Sequence, residues 1–192
     1  AVMIAKSVML TPISLWEGFD FSQPTKANML SEIRYDNVIH REYFFSGRPV
    51  GNDRVRIFGT YFTPDDDLHH DCLLYIPDIT ELINYEEVID YVKTGFSVLM
   101  IDLYGKRDNA TNYTVYPKSV AYANYELRAR RMDYVDQSAK ETSWYEWVAA
   151  ARYALTFLQE LNSSSDKIGV IGNKNGANIA WQLAAVDDRV KC

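Results

Sequence analysis

Apolar and polar positions along the chain change rhythm several times, and each change marks a predicted element. "SEIRYDNVIHREYFF" and "RVRIFGTYFTP" are rich in β-branched and aromatic residues. The Gly, Pro, Asn and Asp cluster "SGRPVGND" separates them, so together they predict an antiparallel strand pair. "PDDDLHHD" is a polar loop, and "CLLYIP" after it is a continuous apolar run of the kind buried on both faces of a sheet. In "NYEEVIDYVKTG" the periodicity becomes helical, with Asn84 as the expected cap, Glu87 at the reciprocal capping-box position and Gly95 as the left-handed stop. "FSVLMID" is a second buried strand, and strand, helix, strand in this order predicts a right-handed parallel crossover.

Between Tyr116 and Thr142 the spacing is mixed and reads as helix and loop. "SWYEWVAAARYALTFLQEL" is a long helix in which Ser143 and Glu146 form the expected capping box, while Trp147, Ala151, Leu155 and Leu158 make a core-facing stripe. "NSSSD" is a loop and "KIGVIG" a third buried strand. It runs through Gly172-Asn173-Lys174-Asn175-Gly176 into the helical pattern "ANIAWQLAA". The expected fold class is α/β, with an N-terminal arm over residues 1–30, carrying Trp16 and Phe19, and one domain over 31–192.

Composition changes this picture little. The 192 residues, 47% apolar and 24% charged, suit one globular domain. A net charge of −6 argues against a nucleic-acid surface, and the densest basic cluster, Arg128, Arg130 and Arg131, is flanked by Glu126 and Asp133 as on a solvated helix face. Cys72 and Cys192 have no metal-ligand spacing and form no disulfide framework, so free thiols in a reducing, cytoplasmic setting are expected. No stretch has the run of about 18 apolar residues that a membrane span requires. A signal peptide already removed would leave no trace in this sequence.

A strand turning sharply into a helix between close-packed glycines projects one side chain above the sheet, beside backbone N–H groups that stabilise negative charge. In this order and spacing, "FSVLMIDLYGKRD", "WYEWVAAARYALTFL", "KIGVIGNKNGANIA" and "AAVDDRVKC" resemble the α/β-hydrolase superfamily. The likeness is to its acetyl xylan esterase, cephalosporin deacetylase and dienelactone hydrolase branch, from about Ser31 onward. The resemblance implies a three-layer sandwich, Gly172 and Gly176 as elbow glycines, and the N–H groups of Ile79 and Asn175 as oxyanion donors. Asp102 and Tyr104 would then border the pocket.

Three departures accompany the likeness. Lys174 stands where the family carries its nucleophile, and a protonated ammonium cannot serve as one. "IPDITELIN" lacks the small-residue turn of the oxyanion loop. His40, His69 and His70 all precede the elbow, whereas the family's acid and histidine follow it, and this chain stops at Cys192 where the next strand should begin. The domain is therefore expected to be incomplete at its C-terminus.

Several readings follow. The first is a catalytically silent relative serving as a binding or interaction module or as a segment of a larger protein. The second is an active esterase or deacetylase completed by residues outside this chain. A doubly wound domain unrelated to hydrolases is a third, although no nucleotide-binding glycine fingerprint supports it. Lys174 as a Schiff-base amine, or as a contact for an anionic ligand, remains an alternative to a tolerated lysine. Asp102 suits a ligand group or a loop brace equally, and the tyrosines from Tyr104 to Tyr134 suit sugar stacking or ordinary packing. His69-His70-Asp71 with Asp65, Asp66 and Asp67 matches no familiar ligand set, so neither metal nor cofactor is expected. The expected partners are a small acyl or sugar-ester ligand, and a second copy or partner chain covering the sheet edge near Val190.

Overall fold

The computed structural model describes residues 11–81, 84–108, 110–126, 132–162 and 167–192. Its sheet has six strands in the order β1-β2-β3-β5-β4-β6. These are β1 (Asn28–Tyr35), β2 (Val38–Val50), β3 (Asp53–Pro64), β4 (Cys72–Ile76), β5 (Ser97–Ile101) and β6 (Ile168–Gly172). The first three form an antiparallel meander; β4 is flanked in parallel by β5 and β6, and β3 joins β5 antiparallel. Among the described residues the helices are α1 (Pro12–Trp16), α2 (Glu86–Lys93), α3 (Ser143–Leu161) and α4 (Asn175–Val186), with a 3-10 turn at Lys118–Ala123.

The apolar runs at β4 and β5 are continuous because helices cover both faces of the sheet. Leu73, Tyr75, Val98 and Met100 pack with Val88 and Val92 of α2. Leu74, Ile76, Leu99 and Ile101 face Trp147, Ala151, Leu155 and Leu158 of α3 and Ile179 and Leu183 of α4. The result is the expected three-layer sandwich, and the stripe read on α3 lies in its core, each residue contributing about 1.5–3 kcal/mol when large and fully buried.

The structure corrects several local expectations. "SEIRYDNVIHREYFF" is two strands, because Asp36 and Asn37 take φ values of 48° and 62° and close a two-residue hairpin. The next turn is narrower than "SGRPVGND": β2 continues through a bulge between Ser46 and Pro49, and Gly51-Asn52 makes the reversal. Neither capping box forms. Tyr85 precedes α2 without a side-chain cap, Asn84 Oδ1 accepts from Glu86 N at 3.1 Å, and the Glu87 carboxylate turns instead toward Tyr75 and Asn173. Thr142, one residue before Ser143, caps α3 by accepting from Tyr145 N at 3.1 Å. Glu146 is buried and takes Arg48 Nε at 2.8 Å and the Tyr122 hydroxyl at 3.2 Å. Losing one partner of such a buried pair costs about 3–5 kcal/mol, so tertiary pairing outcompetes a cap worth about 1 kcal/mol. Gly95 does supply the left-handed stop, with φ 98°.

The described residues between Tyr116 and Thr142 are turn and loop around the 3-10 turn at Lys118–Ala123, with an isolated antiparallel bridge between Val135 and Thr142. Arg128, Arg130 and Arg131, read as a helix face, lie outside the described residues, as do residues 163–166 of "NSSSD" and residues 1–10 of the arm. Trp16 of the arm stacks on Tyr145 at 4.5 Å between centroids. Arg152 lies against the rings of Trp16, Phe19 and Phe21 and bonds the buried Asp187 at 3.0 Å, while Arg189 reaches the same carboxylate at 2.7 Å. Near Val190 the chain returns to β6: Lys191 N donates to Ile168 O at 2.9 Å and Val170 N to Cys192 O at 2.8 Å, in parallel register.

Burial raises the Asp187 carboxyl, but Arg189 and Arg152 outweigh it and hold the group below its ordinary 3.8. A lowered carboxylate stabilises the fold above its ordinary value, and that contribution is lost as pH falls through the lowered one. Asp187→Asn is therefore expected to flatten the fall in melting temperature below about pH 4 relative to the parent, as read by thermal unfolding across acid pH. A parallel decline in both proteins would show that this carboxylate carries no such linkage.

Candidate functional site

The elbow is built by close approach of backbone. A Cβ on Gly172 would lie 2.5 Å from Ala177 Cα, and one on Gly176 would lie 2.2 Å from Ile76 O and 2.4 Å from Pro77 O. Only glycine lets the start of α4 sit this near the ends of β4 and β6. Asn173 N still donates to Ile76 O at 3.0 Å, extending the β4–β6 ladder by one residue. The chain then reverses at Lys174, whose φ of 48° and ψ of −113° lie in a region that L-residues rarely enter. Gly176 N to Asn173 O at 2.8 Å and Ala177 N to Lys174 O at 3.1 Å close the first turn of α4.

Three acidic residues surround the lysine. The Lys174 side chain is 56% exposed, and its Nζ meets Glu81 Oε1 at 2.5 Å. Glu81, with smaller pulls from Asp78 and Glu87, raises the ammonium above an ordinary lysine. The amine is therefore charged at neutral pH and carries no free lone pair for a Schiff base. Asp78 accepts from Asn175 Nδ2 at 3.0 Å, Thr80 N at 3.1 Å and Thr80 Oγ1 at 3.0 Å. Burial pushes the Asp78 carboxyl up, but those hydrogen bonds and Lys174 leave it below its usual value. The Asp78–Asn175 bond ties the loop after β4 to the elbow, bringing the segment of buried Ile79 to the first residue of α4, whose backbone N–H has no acceptor in a preceding turn.

On the α2 side, a cleft of about 450 Å³ is lined by Tyr75, Glu87, Tyr91, Ile171, Gly172 and Asn173. Glu87 accepts there from the Tyr75 hydroxyl and from Asn173 Nδ2 at 3.3 Å. Burial, and then the Glu87 carboxylate, push the Tyr75 phenol up, so it remains a donor. Glu81, Asp78 and Tyr75 did not stand out in the sequence, and Glu87 stood out only as a helix-capping residue. The one local signal was Asp78-Ile79-Thr80, an Asx turn.

Asp102 is 1% exposed, and its carboxylate accepts from Thr114 N at 2.7 Å, Gly105 N at 3.4 Å and Arg107 Nη2 at 2.8 Å. These bonds tie Asp102 to the loop that follows β5. Tyr104 is buried beneath the Arg107 guanidinium at 4.9 Å and edge-on to Tyr125 at 5.3 Å. The histidines lie elsewhere. His70 bonds Gly95 O at 2.8 Å and Asp66 at 2.7 Å, and exposed His69 neighbours it; both precede β4, at the opposite end of the parallel strands from the elbow. His40 stacks on Phe62 at 4.5 Å, on strands β2 and β3. Among the described residues, no group of three or more His, Cys, Asp or Glu is arranged to hold a metal ion, and no helix is long and apolar enough to cross a membrane.

Residues 59–192 match the dienelactone hydrolase family. No curated protein matches the chain in sequence. Among solved structures, acetyl xylan esterase 1 from Thermoanaerobacterium sp. superposes with a TM-score of 0.60 at 18% identity, covering 88% of this chain and 51% of that one. An acetyl xylan esterase from Paenibacillus sp. gives 0.56 at 18%, covering 88% and 52%. A cold-adapted esterase from an Arctic intertidal metagenomic library gives 0.54 at 17%, covering 85% and 61%. The chain thus spans between half and two thirds of the length of these structures, and at such identity they share its fold.

Glycine relieves the strain at position 174 where alanine does not. Lys174→Gly is expected to be about 1 kcal/mol more stable than Lys174→Ala, by urea unfolding. Equal stability of the two variants would mean that position 174 carries no strain.

Proposed function

The chain belongs to the dienelactone hydrolase family, and from that premise we propose that its elbow binds ligand without serine-type turnover. One observation carries the reading: the strained elbow position holds a lysine paired with Glu81. Acyl transfer at an elbow requires a group that attacks a carbonyl and a base that takes its proton. An ammonium offers neither an attacking lone pair nor a proton that a nearby histidine removes. What the position does offer is a half-exposed cation beside the N-terminus of α4, with Asn175 and Ile79 as candidate backbone donors. A small acyl or sugar-ester ligand, presenting carbonyl or carboxylate oxygen, fits donors of this kind.

A second reading is favoured by the backbone itself. Gly172, Gly176 and the left-handed Lys174 keep the nucleophile-elbow shape, although lysine gains nothing from its strain. On that reading the protein is a carboxylic-ester hydrolase of esterase or deacetylase type, completed by residues outside this chain.

The parent and Lys174→Ser are to be assayed against short-chain aryl esters and treated with a serine-directed phosphonate, followed by mass spectrometry. The expected result is no turnover and no phosphonate adduct on the parent. Hydrolysis by the parent that disappears in Lys174→Ser would make Lys174 chemically active and overturn the binding reading.

A further inference from the structure

Strand β1 closes the sheet on the side away from the elbow, and its outer edge has no neighbouring strand among the described residues. Seven of its eight residues are exposed. Met29 and Ile33 are 52% and 54% exposed, and Tyr35 is 40% exposed. Edge strands of this length usually carry charge that discourages pairing, and β1 carries Glu32 and Arg34 on either side of Ile33. Their placement selects a partner instead of excluding one. We propose that β1 pairs antiparallel with β1 of a second copy, joining two sheets across a two-fold axis at Ile33.

The register follows from charge. A two-fold axis perpendicular to the sheet keeps the faces of both copies aligned, so directly opposed residues must share a face. The bulge between Met29 and Ser31 confines regular pairing to Ser31–Tyr35. With the axis at Glu32, that carboxylate meets its own copy; with the axis at Arg34, the guanidinium does, and Glu32 faces Asp36. Both arrangements set like charges opposite one another. With the axis at Ile33, Glu32 of each copy faces Arg34 of the other, Ser31 faces Tyr35, and Ile33 meets Ile33.

The existing contacts leave room for this. Glu32 bonds Arg41 at 2.7 Å and Arg34 at 3.2 Å, and Arg34 bonds Asp65 at 2.7 Å. These are exposed pairs that rearrange at little cost. Glu32 and Arg34 stand on one face of the sheet, beside Arg41 and Ile39, while Ile33 and Tyr35 stand on the other, beside His40 and Val38. The dimer therefore stacks an apolar strip on one face and an ion-pair ladder on the other. Five residues per strand bury little surface, so association is weak and concentration-dependent.

Sedimentation velocity over a wide concentration range, with circular dichroism confirming the fold of each variant, tests the proposal by charge exchange. The parent is expected to dimerise reversibly. Arg34→Glu sets Glu against Glu and Glu32→Arg sets Arg against Arg, so each variant alone is expected to be monomeric. Mixed together, they restore both ion pairs and are expected to form a heterodimer. A parent that stays monomeric throughout would overturn the proposal. So would single variants that dimerise as strongly as the parent, because association would then run through another surface, such as the one bearing Trp181, which is 80% exposed.

Discussion

Everything at the elbow depends on how closely α4 approaches the ends of β4 and β6. The Cα of Gly176 sits where any side chain would strike the carbonyls of Ile76 and Pro77, and Gly172 is pressed against Ala177. With those two positions fixed, the three residues between them have one way to turn. Asn173 completes the ladder to β4, Lys174 takes the left-handed conformation, and Asn175 opens the helix. The conformation at Lys174 is imposed by the packing around it and strains any residue there that carries a Cβ. A fold can thus keep the shape of a reactive turn while the residue at its apex changes.

The electrostatics at the apex point the other way from nucleophilic chemistry. A catalytic amine is made reactive by desolvation or by a neighbouring cation, both of which lower its pKa. Lys174 is half exposed and faces Glu81, with Asp78 and Glu87 further off, and each of these raises it. The same acids are tied into the scaffold: Asp78 clasps Asn175, and Glu87 joins Tyr75 to Asn173. The site is a cation held among acceptors. The shared fold with acetyl xylan esterases supplies the backbone frame, and the side chains within it decide what that frame can do.

How much of this was legible in the sequence varied with the physics of each element. β4, β5 and β6 were readable because strands covered on both faces need uninterrupted apolar residues, and α3 because its stripe recurs at helical intervals over nineteen residues. The Asp36-Asn37 hairpin was hidden because the strand-like composition continues on both sides of it. Both expected capping boxes failed for one reason. Glu87 and Glu146 have distant partners, Tyr75 and Arg48, that outbid a local backbone N–H. Gly172, Lys174 and Gly176 were visible as a pattern, but Glu81 and Asp78 were not, since their meeting with the elbow depends on β4 and β6 being neighbours despite their distance along the chain.

The protonation of Lys174 is the quantity on which the reading of the site rests. A heteronuclear NMR titration of its side-chain carbon and ammonium signals, in the parent and in Glu81→Gln, measures it directly. The predicted midpoint in the parent lies above the ordinary lysine value of 10.5 and moves down when Glu81 loses its charge. A midpoint well below that value, unmoved by Glu81→Gln, would reveal an activated amine and contradict the assignment of this elbow as a paired, non-nucleophilic cation.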